Sequence, residues 1–105
     1  MSLGDFGPLL QHAQKMQKEM RQVQDDLKKR TVMGESGGGM VKCYVNGQQE
    51  VLKLEIEPEV VDPSDVGMLE DLILMAVKSG MEKSQELSRA EMNKVTGGIN
   101  LPGLF

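Results

Sequence analysis

The stretch GESGGGMVK, residues Gly34–Lys42, is where nucleotide chemistry would sit in this chain. Three consecutive glycines with a lysine close behind could cradle a phosphate. A phosphate loop needs glycine, four residues, then Gly-Lys-Ser/Thr at the start of a helix. Gly34 and Gly39 have the first spacing, but Met40 stands in the lysine position and Val41 in the Ser/Thr position. The dinucleotide pattern G-x-G-x-x-G fails at its end, where Lys42 replaces glycine. The next residues, MVKCYVNG, alternate as a strand does, whereas both motifs need a helix N-terminus facing the anion. The glycines therefore read as a connection between strands.

The other reactive residue types are equally bare of partners. His12 is the only histidine and lies on a Gln-rich helical stretch, so a solvated histidine is expected rather than a metal or catalytic group. Cys43 falls between Val41 and Val45 on an apolar strand face and reads as a small buried hydrophobe. The acids between Glu50 and Asp71 lack the glycine and spacing of a calcium loop. Of the nine methionines, those at helical spacing read as core. No enzyme constellation emerges: no cofactor, no metal and no small-molecule substrate is expected.

One domain is the expectation for 105 residues. A single cysteine allows no intrachain disulfide, no apolar run approaches the roughly 18 residues of a membrane span, and no secretory signal opens the chain, so the expected location is cytoplasmic. Residues 1–7 read as a flexible N-terminus. A helix is predicted over 8–30, with Pro8 in its first position. Leu9, Ala13, Met16, Met20, Val23 and Leu27 recur every three or four residues as a narrow seam that seeks one other helix. The sheet is predicted over 31–57 as three strands, RTVMGES, VKCYV and VLKLEIE. Asn46-Gly47 signals a two-residue hairpin that would pair Val45 with Gln48 and Val41 with Leu52. The DPSD segment supplies caps for a second helix over 65–96. It opens strongly apolar, Met68 to Val77, and ends as a mixed-charge arm. Residues 97–105 read as a flexible tail. The order is α-β-β-β-α, an α+β fold with a three-stranded antiparallel sheet and two long terminal helices. The apolar surplus, and a seam with no obvious mate in the chain, point to a homodimer.

Charge is sorted along the chain. The net charge is −4, yet residues 1–30 carry six basic groups against four acidic ones, and residues 50–71 carry eight acids against Lys53 alone. The first helix is therefore the extended positive surface. With no Trp, one Tyr and two Phe there is no platform for stacking single-stranded bases.

Taken in order, QHAQKMQKEMRQVQ, VMGESGGGMVK, VNG, EIEPEVVDPSD, MLEDLILMAV and GGINLPGLF make the chain resemble the YbaB/EbfC family of bacterial nucleoid-associated DNA-binding proteins over nearly its whole length. The resemblance implies a tweezer-like homodimer whose paired helices grip duplex DNA, and a nucleoid-associated location. Charge sorting then assigns the phosphate contacts to Lys15, Lys18, Arg21, Lys28, Lys29 and Arg30, with Arg89 and Lys94 from the second helix. The second reading left open is a non-DNA module, such as a small acidic export chaperone or adaptor dimer.

Overall fold

The structure is a computed structural model that describes residues 6–97. Helix α1 spans Phe6–Lys29. Strands β1 (Thr31–Ser36), β2 (Val41–Asn46) and β3 (Val51–Ile56) come next, and helix α2 spans Val66–Thr96. The strands form one antiparallel sheet in the order β1-β2-β3. The α-β-β-β-α order is thus the architecture of the molecule.

Helix α1 opens at Phe6, two residues ahead of Pro8, so Phe6 and Gly7 are helical rather than part of a loose N-terminus. Proline in the first turn lacks an N–H that would have had no intrahelical partner there. Glycine before it also removes one of the steric conflicts that keep a pre-proline residue out of helix. At the other end the helix is capped from outside. The Gly47 N–H donates to the Leu27 carbonyl at 2.8 Å and to the Arg30 carbonyl at 3.1 Å. α2 is capped as its sequence implies: the Asp65 carboxylate accepts from the Met68 N–H at 3.2 Å.

The β2–β3 hairpin departs from the expected two-residue turn. Val41 faces Ile56, Cys43 faces Leu54 and Val45 faces Val51, with an irregularity at Tyr44/Val45. Tertiary bonds select the longer loop. Gly47 is occupied by the end of α1, the Asn46 side chain accepts from the Gln48 and Glu50 N–H groups, and Gln49 (φ 61) donates its N–H to Ser84 Oγ at 3.1 Å. From Val41 to Tyr44 the register moves by four residues, an even number, so Leu54 and Ile56 keep the side shared with Val41 and Cys43, and the irregularity leaves a shift of three at Val45.

The core lies between that side of the sheet and the first half of α2. Val41, Cys43, Val45 and Ala76 are fully buried, with Val32, Ile56, Val60, Leu72, Ile73, Val77 and Met81 around them. α2 covers β1 and β2 and barely touches β3. Leu52 and Leu54 consequently remain exposed, as do Met68, Leu74 and Met75 on α2.

The seam of α1 does have a mate in its own chain, contrary to the sequence expectation. Leu27 is buried, and Met16, Met20 and Val23 are half-buried, against the second half of α2, where Met92 and Thr96 are buried. Gln24 Nε2 reaches Met92 Sδ at 3.8 Å. The helices run antiparallel, and residues 6–15 of α1 are exposed.

Burial pushes the Cys43 thiol above its ordinary range. Cys43→Asp is therefore expected to abolish the cooperative thermal transition, because an unpaired carboxylate would be buried among valines, whereas Cys43→Ser and the surface change Lys28→Ala should still fold. Circular dichroism melts check this, and a wild-type melt from Cys43→Asp would place residue 43 at the surface.

Candidate nucleic-acid interface

The structure divides the eight predicted cations into two groups. At about 100° per residue, Lys18 and Lys29 point away from the seam, and Lys15, Arg21 and Lys28 lie within roughly 80° of Lys18. All five are exposed, and among the described residues none takes part in a salt bridge. From Lys15 to Lys29 they extend about 21 Å along the helix. Asp25 shares this face, and an i, i+4 contact between Asp25 and Lys29 is absent, whereas the i, i+4 pair Asp26–Arg30 is present at 4.0 Å. Lys28 and Lys29 also occupy the last turn of α1, where the helix dipole favours cations.

The other three are committed to carboxylates. Arg30 lies 3.2 Å from Glu91, Lys94 lies 2.9 Å from the same Glu91 oxygen, and Arg89 pairs with Glu86. Arg30 thus bridges the two helices instead of joining the free stripe. The role of Glu91 was hidden in the sequence. Its spacing from Lys94 is visible there, but its approach to Arg30 depends on the fold.

Lys94 and Arg30 together hold the Glu91 carboxyl below its ordinary value of 4.5. A depressed folded value means that the stabilisation is complete above 4.5 and disappears as pH falls through the folded value. Glu91→Gln should therefore melt below wild type at pH 7, and the gap should close in acid. A gap that persists unchanged below about pH 3 would assign the loss to packing instead of charge.

The glycine stretch is a left-handed turn between β1 and β2, with φ of 60, 68 and 92 at Gly37, Gly38 and Gly39. A strand, not a helix N-terminus, comes directly after it. His12 is exposed, and among the described residues no cluster of His, Cys, Asp or Glu could hold a metal ion. No helix of the described residues is long and apolar enough to cross a membrane. The outer sheet face is laced with charge: Lys53 pairs with Glu55 at 2.9 Å, and the Tyr44 hydroxyl donates to Glu55 at 3.3 Å.

An α+β protein with a sheet base, an antiparallel helical arm and a cationic stripe on that arm is the class defined by this geometry. The chain belongs to the YbaB/EbfC DNA-binding family, whose model matches residues 2–99. It is 48% identical over 97 residues to a nucleoid-associated protein of Caldanaerobacter subterraneus, covering 92% of this chain and 87% of that one. It is 48% identical over 104 residues to a nucleoid-associated protein of Syntrophobacter fumaroxidans, covering 99% and 93%. The crystal structure of an uncharacterized protein from Helicobacter pylori superimposes with a TM-score of 0.75 at 26% identity, covering 92% of this chain and 99% of that one.

Proposed function

We propose that the protein binds duplex DNA as a homodimer, with little sequence selectivity, through phosphate contacts from its helical arms, and that it is nucleoid-associated in the cytoplasm. The observation that carries the reading is the stripe of five cations on the side of α1 turned away from α2, none of which is in an ion pair among the described residues. Membership of a DNA-binding family and the names of its relatives support it. The remaining cations, Arg30, Arg89 and Lys94, would contribute less because carboxylates already hold them. Lysine and arginine contacts to phosphate do not read sequence.

The uncovered β3 half of the core face, with Leu52 and Leu54, supports the dimer: a second copy would close it. Sedimentation at micromolar concentration should show dimers, and Leu54→Glu should yield monomer or unfolded chain. A stable, folded wild-type monomer would contradict this part of the reading.

Salt-titrated fluorescence anisotropy on random-sequence duplexes tests the binding. The logarithm of affinity should fall linearly with the logarithm of salt, with the same slope for unrelated sequences. An absence of binding at low salt would transfer the protein to the adaptor reading.

A further inference from the structure

Arg30 and Lys94 converge on one carboxylate oxygen from the end of α1 and from α2. Glu91 Oε1 lies 3.2 Å from an Arg30 guanidinium nitrogen and 2.9 Å from Lys94 Nζ. Lys94 stands in the last turn of α2, which Gly97 caps. The flexible tail expected over 97–105 lies, apart from Gly97, outside the described residues. Two cations aimed at one oxygen are an arrangement that suits a phosphate oxygen, here with a carboxylate in its place. The cations stay open to solvent, with side chains 44% and 72% exposed, whereas that of Glu91 is 19% exposed. An anion can therefore reach both without entering the core. Asp26 also faces Arg30, but at 4.0 Å and in the open, where a pair contributes little.

We propose that Arg30 and Lys94 form a latent anion site that Glu91 occupies, so that Glu91 holds down the affinity of the arm for DNA phosphate. The choice of DNA as the source of the phosphate rests on the reading proposed above. Arg30 follows Lys28 and Lys29 directly in sequence. Once released it lengthens the cationic stripe at the base of the arm, and Lys94 carries positive charge across to α2. In the wild type a duplex phosphate must displace a carboxylate that is already in place. Lys94 and Arg30 themselves favour the ionised form of Glu91, which keeps it an effective competitor at neutral pH.

Glu91→Gln tests the assignment, because it keeps the shape of the side chain and removes its charge. Glu82→Gln is the control. Glu82 is exposed on α2 and in no salt bridge among the described residues, so its loss changes net charge equally and releases no cation. In salt-titrated anisotropy on a random-sequence duplex, below the melting range of both variants, Glu91→Gln should bind on the order of tenfold more tightly than wild type near 0.1 M salt. Its salt slope should steepen by up to about 0.9 for each cation released, or roughly 1.8 per protomer. Glu82→Gln should gain clearly less, and adding Arg30→Gln/Lys94→Gln to Glu91→Gln should cancel the gain. Inorganic phosphate supplies a readout without DNA: it should shift the amide NMR signals of residues 29–31 and 91–95 in Glu91→Gln far more than in wild type. Duplex affinity that rises no more in Glu91→Gln than in Glu82→Gln would overturn the proposal, as would the absence of phosphate-induced shifts in Glu91→Gln. Phosphate-induced shifts in Glu91→Gln with no duplex binding by either protein would support the anion site and overturn the DNA-binding reading instead.

Discussion

Gly34→Ala is expected to cost more than about 3 kcal/mol, a large part of the roughly 5–15 kcal/mol that holds a small domain together. Gly34 lies in β1 where α2 crosses it. A methyl group there would stand 2.7 Å from the Gly80 Cα, with the Gly80 amide nitrogen and the Ala76 carbonyl oxygen closer still. Those are backbone atoms of a helix fixed by its own ladder, so no side chain can swing aside. Gly80→Ala meets β2 instead, 2.8 Å from a Val45 methyl and 3.3 Å from the Cys43 carbonyl oxygen. Gly38→Ala is the comparison. It has open space around it and only its φ of 68 to strain, which should cost about 1–2 kcal/mol. Urea unfolding of the three variants should place Gly34→Ala well below the others. If Gly34→Ala unfolds at the same midpoint as Gly38→Ala, the close approach of strand and helix is wrong.

The place of Gly34 shows where sequence reading stops. Its glycine was visible as part of a rich stretch, but nothing local separates a glycine needed for turning from one needed for room. Gly37, Gly38 and Gly39 turn the chain, while Gly34 admits a helix that is distant in sequence. Asn46-Gly47 behaves the same way. The pair marks the turn correctly, yet a methyl group on Gly47 would lie 2.7 Å from the Leu27 carbonyl, and this packing against α1 decides the loop length. Element order and type were legible because they rest on apolar spacing and caps, as at Asp65. The mate of the α1 seam was not, because the second half of α2 shows few apolar residues and buries Ser84 and Thr96 through hydrogen bonds. For the candidate site, the sign of the charge could be read directly. Its division into free and committed cations could not, since the Arg30–Glu91 contact is tertiary.

That division gives the functional prediction its sharpest form. Lys15→Gln/Lys18→Gln/Arg21→Gln removes from one face of α1 three exposed cations that are in no ion pair among the described residues. If each holds one phosphate, the salt slope should flatten by about 0.9 per contact, or roughly 2.7 per protomer. Affinity near 0.1 M salt should fall on the order of 100-fold, equally on unrelated duplexes, because phosphate contacts carry no sequence information. Arg89→Gln/Lys94→Gln is the control. It also removes positive charge from a helix, but these groups already face Glu86 and Glu91, and Glu91 keeps Arg30. Its loss per charge removed should be clearly smaller. The α1 variant should melt as wild type does, since solvent-exposed charges of this kind contribute little to folding, whereas the control loses the Lys94 partner of Glu91 and should melt slightly lower while remaining folded. Equal losses per charge would mean that net charge governs binding, without a dedicated face. An α1 variant that binds as tightly as wild type, with the same salt slope, would remove α1 from the DNA-facing surface altogether.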